Sequence, residues 1–222
     1  MPRQLRIIIP DIPYHVTQRG NNGQDVFFSN EDRIRYLKWF VQYSSRYKFD
    51  IIAYCLMTNH VHFVGIPLKS DSISRTFQVV NMMHTQSINK AKARKGHLWH
   101  SRFYSSPMDE KHAWLAVRYV EQNPVRAGIV DHAANYIWSS AKAHCEMTND
   151  PVLSIGKEPD GMFDSWSEIL GDVIKQDVVE QIRGCTMRGL PYGEWEFVKR
   201  VSSKMGLKTT KSKPGRPRNP VK

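Results

Sequence analysis

The sequence predicts an α+β fold, a ferredoxin-like split βαβ sandwich with one added helix and a small helical, basic C-terminal extension. Two observations support this prediction. Hydrophobic residues alternate between the spacing of strands and that of helices in the order β-α-β-β-α-β-α, with turn-forming residues between the segments. Beyond residue 145 the pattern changes to a stretch rich in proline and glycine. We therefore expect one domain over residues 1–145, a loop-rich, mainly helical extension over 146–208 and a flexible basic tail over 209–222.

Capping and turn residues delimit the individual elements. Ser29 is suited to cap the first helix, Ser72 begins the second, and Asp109 caps a third that Pro124 stops after Asn123. Together with the hydrophobic spacing, these signals predict strands over 14–18, 50–56, 60–66 and 99–107, and helices over 30–47, 72–93 and 109–123. Three short helices are expected in the extension, over 165–170, 175–183 and 192–205.

Positive charge is concentrated in two parts of the chain, whose formal net charge is +11 and whose isoelectric point is about 9.6. No acidic residue lies between Asp71 and Asp109, and the segment from Lys199 to Lys222 holds nine Lys or Arg residues and no acid. Solvated surfaces usually mix both signs, so long acid-free tracts favour a polyanionic partner over a device for solubility. A nucleic acid is the partner that we expect.

The composition also argues against several classes of protein. Hydrophobic residues make up 41% of the chain, enough for a packed core, and no run approaches the roughly 18 apolar residues of a membrane span. The apolar run at 7–9 is too short for a signal peptide and is ended by Pro10. The three cysteines form no C-x-x-C pair, so neither a disulfide framework nor a structural zinc site is indicated. We expect no membrane partner and a soluble, cytoplasmic, nucleoid-associated protein.

The His-Val-His segment at 60–62 is the most distinctive chemical feature. Alternate residues of a strand project from the same face, so His60 and His62 converge while Val61 points away. Two imidazoles make half of a site for a divalent metal ion, since histidine is a common ligand. On this motif alone a chance pair of surface histidines is the favoured explanation, so a metal site needs support from other residues.

Tyr119 and Asn123 are the second feature, because residues four apart share one face of a helix. Tyr119 lies on the border of the apolar stripe, where a tyrosine usually has a half-buried ring and a solvated hydroxyl. Alternatively it is a nucleophile, which at a free pKa of about 10 requires a neighbouring cation or base. A metal ion at His60 and His62 would serve this purpose if the helix packs against their strand. The Asn123 amide oxygen could complete the coordination.

Basic and aromatic residues alternate over 96–104, which suits stacking on unpaired bases and contacts with phosphates. The alternative, equally supported, is that Trp99 and its aromatic neighbours are core residues of an edge strand. Arg102 is the better candidate for DNA contact because a charge seldom belongs in a core. In the tail, Arg216 and Arg218 are similar to short basic hooks for A·T-rich minor grooves, although phosphate contact is the more general expectation.

Taken together, these motifs resemble the IS200-like single-tyrosine transposases, and in particular their REP-associated branch. The segment MTNHVHF at 57–63 is similar to the HUH motif (His, hydrophobic, His) of that family, and RYVEQNPVRAG at 118–128 is similar to its nucleophile helix. The segments YHVTQRGN at 14–21 and WHSRF at 99–103 fall where the branch has further signatures. The resemblance covers roughly residues 10–142, and RGLPYG with the basic end resembles the branch's C-terminal extension.

The resemblance implies an HUH nuclease fold with a defined chemistry. His60 and His62 would hold Mg²⁺ or Mn²⁺ with Asn123 as third ligand, and Tyr119 would attack a DNA phosphate, forming a 5′-phosphotyrosine link and freeing a 3′-OH. Strand transfer would need no ATP, because the energy of the phosphodiester is kept. The implied partner is single-stranded or hairpin DNA with a REP-like stem-loop, bound by a monomer or a homodimer. We expect DNA contacts from residues of these motifs and of the basic tracts: Arg19, Asn22, Arg94, Lys95, Trp99, Arg102, Arg118, Arg126, Arg216 and Arg218.

Three alternatives to this function stay open. A binding module of the same fold would hold hairpin DNA while Tyr119 stays idle, although a mere binder has no use for the full set of candidate residues. An RNA-binding ferredoxin-like domain would stack bases on strand aromatics, but its usual aromatic-rich motif is absent. A general phosphate-ester hydrolase is the most distant, because a metal ion and a nucleophile would also serve that reaction.

The basic tail generates a first prediction. Deleting residues 208–222 removes six Lys and Arg residues, so DNA binding should weaken and its salt dependence should flatten. The slope of log K against log [salt] is expected to fall by roughly 0.7–0.9 for each phosphate that the tail neutralises. Fluorescence anisotropy with a hairpin oligonucleotide over a series of salt concentrations measures that slope. An unchanged slope would mean that the tail does not contact the DNA.

Overall fold

A four-stranded antiparallel sheet forms the centre of this computed structural model, which describes residues 7–154 and 165–207. Its strands are β1 (Tyr14–Arg19), β2 (Phe49–Leu56), β3 (His60–Pro67) and β4 (Tyr104–Pro107), in the spatial order β2-β3-β1-β4. The helices are α1 (Asn30–Tyr47), α2 (Ser72–Ala91), α3 (Glu110–Glu121), α4 (Asn123–Arg126), α5 (Ala141–Glu146), α6 (Trp166–Gly171), α7 (Gln176–Arg188) and α8 (Trp195–Lys204). The expectations for the tail, including Arg216 and Arg218, lie outside the described residues.

The alternation of side chains along the central strands separates two hydrophobic cores. Phe63 of β3 faces α1 and α2, where its ring stacks on that of Phe40 at a centroid distance of 3.8 Å and meets Phe77 edge-on. Val64, the next residue of the strand, belongs to the second core together with Val117 of α3. Helices α1 and α2 therefore cover one face of the sheet and α3 covers the other, as a split βαβ sandwich requires.

The predicted α+β class and the order of its first elements are confirmed. Ser29 caps α1 in a capping box, in which its hydroxyl accepts from the Asp32 N–H while the Asp32 carboxylate accepts from the Ser29 N–H. Asp109 caps α3 by accepting from the His112 N–H at 2.9 Å. These helices begin where the sequence predicts them because side chains there satisfy N–H groups that the helix itself leaves unpaired.

Two predicted elements are shorter than expected. The prediction of a strand from residue 99 is wrong for its first half, because Ser101 has a left-handed conformation (φ 60°) and β4 begins only at Tyr104. The prediction that the third helix includes Asn123 is also wrong. Asn123 starts the separate helix α4, since Pro124 has no N–H to donate to an α3 carbonyl and is tolerated only in a first turn.

The three helices predicted for the extension are present as α6, α7 and α8. Helix α7 continues beyond the predicted residue 183 to Arg188 and ends at Gly189, whose left-handed conformation (φ 69°) closes the last turn. This continuation adds Thr186 to the helix, a residue that matters for the site described below.

The extension shares a core with the sheet and α3 instead of forming one of its own. Trp166, Leu170 and Ile182 belong to the same buried cluster as the apolar residues of α3. The Trp166 indole donates to the buried carboxylate of Glu121 at 2.7 Å, and the Ser140 hydroxyl donates to the same carboxylate. Helix α7 lies against β4 and β1 as a result. The extension thus covers part of the sheet face on which α3 packs.

Close approach of β2 to β3 at Gly65 generates a second prediction. A Cβ atom at Gly65 would lie 2.4 Å from the Asp50 carbonyl oxygen and 2.9 Å from the Phe49 ring. Gly65→Ala should therefore lower the free energy of unfolding by about 1–3 kcal/mol, as overpacking does. Gly171→Ala is the matched control, because nothing lies within 4 Å of a Cβ there. Urea unfolding of both variants tests the prediction, which fails if the two are equally stable.

Candidate active site

Strand β3 presents His60 and His62 on the sheet face covered by α3. In the antiparallel register His60 lies opposite Arg19 and His62 opposite Thr17 of β1. Their ring centroids are 5.0 Å apart and the rings are nearly perpendicular. His62 is only 5% exposed, whereas His60 is partly exposed at the end of the strand. The convergence expected from the strand period is therefore realised within a single chain.

A third histidine, which the sequence motifs did not identify as a site residue, completes this face. His15 of β1 is 1% exposed, and its Nε2 lies 2.9 Å from Nδ1 of His62. The two rings are coplanar within 7° with centroids 5.1 Å apart. This separation matches the nitrogen–nitrogen distance plus the two ring radii, so the rings meet edge to edge through an in-plane hydrogen bond and do not stack face to face.

The hydrogen bonds around His15 favour one tautomer of each ring. The Thr186 hydroxyl donates to the Ile182 carbonyl oxygen at 2.8 Å, so it can only accept from Nδ1–H of His15, which lies 2.8 Å away. His15 Nε2 then has no proton and accepts from Nδ1–H of His62. The Nε2 atom of His62 consequently has a free lone pair.

His60 has the same tautomer for a different reason. Its Nδ1 lies 2.6 Å from the Asn59 side-chain oxygen, which can only accept, so the proton is on Nδ1 and Nε2 is free. Burial lowers the pKa of His60 to about 4 and that of His15 to about 3, and it holds the pKa of His62 well below the ordinary value. Both candidate ligands are therefore neutral at physiological pH, the state in which histidine binds a metal ion.

Tyr119 lies against the histidines, as the nucleophile hypothesis requires. Its ring meets the rings of His62 and His15 edge-on, each at a centroid distance of 5.7 Å. The alternative, a half-buried ring with a solvated hydroxyl, is not what the structure has, because Tyr119 is only 2% exposed. The reason is the extension: Arg183 of α7 crosses the phenol, and its Nε donates to the Tyr119 hydroxyl at 3.2 Å.

A second guanidinium, that of Arg126 in α4, also contacts Tyr119. Arg126 lies over the phenol ring at 4.3 Å from the centroid, and its Nη2 donates to the Tyr119 carbonyl oxygen. Its Nε and Nη1 are buried without a hydrogen-bond partner among the described residues. Buried N–H groups of a cation are usually hydrogen-bonded, so these two groups are suited to donate to an anionic oxygen of a ligand.

Asn123 does not present a free oxygen to the histidines in this conformation. Its amide oxygen accepts from Arg126 Nη2 at 2.7 Å, and its amide nitrogen donates to the Val120 carbonyl oxygen. The described residues contain no group of three or more His, Cys, Asp or Glu side chains that could hold a metal ion. Neutral imidazole nitrogens are chemically suited to a divalent ion, and the ligand roles of His60, His62 and Asn123 stay predictions.

Some of the predicted DNA-binding side chains are exposed, and others contact residues of the protein itself. Arg19, Asn22, Lys95 and Arg102 are exposed, and Asn22 lies in a left-handed turn (φ 51°) directly after β1. These four positions are accessible to a ligand, and their role stays a prediction.

Three other predicted DNA-binding residues have partners within the protein. Arg94 donates to the Gln24 side chain at 3.0 Å, and Arg118 donates to the Asp172 carbonyl oxygen of the extension at 2.7 Å. Trp99 is 7% exposed and contacts the rings of Tyr36 and His84. Of the two alternatives for Trp99, this burial favours a core residue over a ring that stacks on bases, and its role in DNA binding stays a prediction.

Comparison with known proteins identifies the family. Residues 9–123, slightly more than half of the chain, match the family model of IS200-like transposases. The chain belongs to the IS200-like transposase family. The matched segment contains His60, His62 and Tyr119 and ends at Asn123, so this transposase has its candidate residues within the part that defines the family.

The fold of this transposase is also found among solved structures. It is similar to the structure of a REP-associated tyrosine transposase bound to a REP hairpin, with a TM-score of 0.56 and 18% sequence identity over 79% of this chain and 100% of that chain. At this identity the similarity concerns the fold. No curated protein sequence matches the chain. Within the described ranges, no helix is long and apolar enough to cross a membrane.

The buried neutral histidines generate a third prediction, on stability. His15, His60 and His84 have pKa values of about 3, 4 and 4 in the folded protein, all lowered by burial from an ordinary value of 6.5. Between about pH 6.5 and about pH 4 the unfolded chain therefore binds protons that the folded chain does not. The free energy of unfolding should decrease as the pH falls through this window, by up to about 1.4 kcal/mol per pH unit for each histidine.

Urea unfolding of the metal-free protein near neutral pH and at about pH 5 measures this slope. His84→Leu serves as an internal check, because His84 packs against Phe27 in the core on the opposite face of the sheet and contributes one of these protons. Its slope should be smaller than that of the unaltered chain. A free energy of unfolding that is constant over the window would contradict the prediction.

Proposed function

We propose that this transposase nicks and transfers single-stranded DNA at stem-loop, REP-like repeats, with Tyr119 as the nucleophile. The observation that carries the proposal is the position of Tyr119 beside two neutral histidines and two guanidiniums of its own chain. An IS200-like transposase acts on DNA, and the solved structure with the same fold is bound to a REP hairpin. The excess positive charge of the chain suits that partner.

In the proposed reaction the phenol oxygen of Tyr119 attacks the phosphorus of a phosphodiester. A bond forms between the phenol oxygen and phosphorus, the bond from phosphorus to the 3′ oxygen breaks, the phenol loses its proton and the 3′ oxygen gains one. The 5′ end of the DNA is then linked to Tyr119. A 3′-OH of another strand reverses the step, so one phosphodiester is exchanged for another and no ATP is consumed.

The two arginines are suited to the charges of this reaction. Arg183 donates to the Tyr119 hydroxyl and would stabilise the phenolate that attacks. The buried, unpartnered Nε and Nη1 of Arg126 would donate to the non-bridging oxygens of the phosphate. Arg126 would then hold the phosphate against the ring that it already covers.

His60 and His62 are the proposed ligands for Mg²⁺ or Mn²⁺ through their free Nε2 atoms. When bound there, a divalent ion supplies Lewis acidity toward the phosphate. Asn123 is the proposed third ligand, which requires its amide oxygen to leave Arg126. We expect the protein in the cytoplasm, associated with the nucleoid. A single chain supplies both the histidines and the nucleophile, so a monomer, or a homodimer with a complete site in each chain, could carry out the reaction.

One observation favours a second candidate function. Tyr119 is almost fully enclosed beneath Arg183, so the site is closed toward solvent in this conformation. A hairpin-binding regulator of the same fold would have no need to open it. The RNA-binding alternative has less support, because Trp99 and Phe103 are buried.

The fourth prediction concerns cleavage of an end-labelled single-stranded oligonucleotide with a hairpin. Wild type should cleave it in Mn²⁺ or Mg²⁺ but not in EDTA, and leave a protein-linked 5′ product. Tyr119→Phe should abolish cleavage and bind the hairpin within a few fold of wild type, because affinity depends on many basic contacts. His62→Ala should remove the metal-stimulated cleavage. Denaturing gels and anisotropy measure the two properties.

Tyr36→Phe is the matched control, because it also removes one buried hydroxyl, which donates to Asn81 on the other face of the sheet. It should cleave like wild type. Cleavage retained by Tyr119→Phe, or cleavage that is indifferent to EDTA, would overturn the proposed mechanism. Binding of the hairpin without cleavage by wild type would favour the regulator.

A further inference from the structure

We propose that helix α7 of the C-terminal extension is part of the metal site through Thr186, which positions His62 by way of His15. The inference deepens the proposed function and rests on it for the identity of the ligand. Thr186 and His15 are positioning residues, since neither offers a free atom to DNA or to a metal ion. Their effect is on the orientation and the tautomer of a ring that does.

The connection is a continuous series of buried hydrogen bonds. It runs from the Ile182 carbonyl oxygen to the Thr186 hydroxyl at 2.8 Å, from there to His15 Nδ1 at 2.8 Å, and from His15 Nε2 to His62 Nδ1 at 2.9 Å. Thr186, His15 and His62 are 1%, 1% and 5% exposed. Water cannot replace a missing partner at such positions without entering the core, so each bond constrains the next.

The direction in which this series runs favours the state in which Nε2 of His62 is free. Each donor in it has one acceptor, and the fixed end is a backbone carbonyl that can only accept. The proton of His62 is thereby held on Nδ1, away from the position that faces the metal site. The arrangement corresponds to the hydrogen bond that metal-binding histidines generally make through their second ring nitrogen.

Removing the Thr186 hydroxyl should reverse this arrangement in part of the molecules. The Nδ1–H of His15 would then be buried without an acceptor, which is unfavourable. With its proton on Nε2, His15 would avoid that orphaned donor and would donate to Nδ1 of His62. The proton of His62 would move to Nε2, where it blocks a metal ion.

The test uses the full-length chain and Thr186→Val, which keeps the shape of the side chain and removes only the hydroxyl. Thr76→Val is the matched control: Thr76 is 0% exposed, and its hydroxyl donates to the carbonyl oxygen of Ser72 four residues earlier in α2, as that of Thr186 does in α7. Thr186→Ser keeps the hydroxyl and should behave like wild type. Circular dichroism shows whether each variant is folded.

Two measurements need no DNA cleavage. In metal-free protein, ¹⁵N spectra of the histidine rings should show His62 protonated on Nδ1 in wild type, Thr76→Val and Thr186→Ser, and partly on Nε2 in Thr186→Val. Titration with Mn²⁺ alone, followed by electron paramagnetic resonance, should give a Kd raised roughly 10- to 100-fold in Thr186→Val and unchanged in the control. If Thr186→Val does not fold, His15→Gln, which can make both bonds, and His15→Leu, which can make neither, form the replacement pair.

The outcomes separate this inference from the proposed function. A tautomer of His62 that is the same in Thr186→Val as in wild type overturns the inference, whatever the protein does to DNA. An altered tautomer with an unaltered Mn²⁺ affinity also overturns it, because His62 would not then bind the ion through Nε2. An altered tautomer together with weaker Mn²⁺ binding supports it, even if wild type fails to nick DNA and the proposed function is wrong.

Discussion

The pairing of β1 with β3 is the constraint on which the rest of the structure depends. Because side chains alternate along a strand, this one pairing brings His15 of β1 and His60 and His62 of β3 to the same face. A slip of one residue in the register would turn β1 over and exchange His15 for an apolar neighbour such as Val16. The core and the site are therefore specified by the same set of backbone hydrogen bonds.

The extension contributes to the site because it contributes to the core. Helix α7 is held in place by burial of Ile182 and Val179 in the cluster shared with α3. Polar residues on the same helix then meet the tyrosine and the histidines at fixed distances: Arg183 reaches the phenol hydroxyl, and Thr186 reaches His15. The boundary that the sequence suggests near residue 145 separates regions of different composition, but it does not separate two cores.

Much of the site could be predicted from the sequence, because it depends on the repeat of side-chain direction along a strand or a helix. The strand period places His60 with His62, and the helical period together with the family motifs indicates Tyr119. Contacts across long stretches of chain were not accessible in this way. The hydrogen bonds of Arg183 to Tyr119 and of His15 to Thr186 join residues far apart in sequence, and no local pattern encodes them.

Some local signals for these residues did exist. His15 is a polar residue on a strand that is otherwise largely buried, and the alternation of side chains along that strand places it on the same sheet face as the two later histidines. The wrong bounds predicted for the fourth strand and the third helix had another origin. The left-handed conformation of Ser101 and the proline after Asn123 change the direction of the backbone, although the hydrophobic pattern continues through both positions. Trp99 illustrates a further limit, because an aromatic residue in a basic stretch is equally suited to a core and to a stack of bases.

The enclosure of Tyr119 beneath Arg183 bears on the lifetime of the covalent intermediate. A phosphotyrosine is a reactive ester, and bulk water at molar concentration competes with the 3′-OH of an incoming strand. On the proposed mechanism, a linkage formed beneath α7 would be reached by water only when that helix or its arginine moves aside. The same cover would favour rejoining over hydrolysis, and so preserve the DNA from a permanent break.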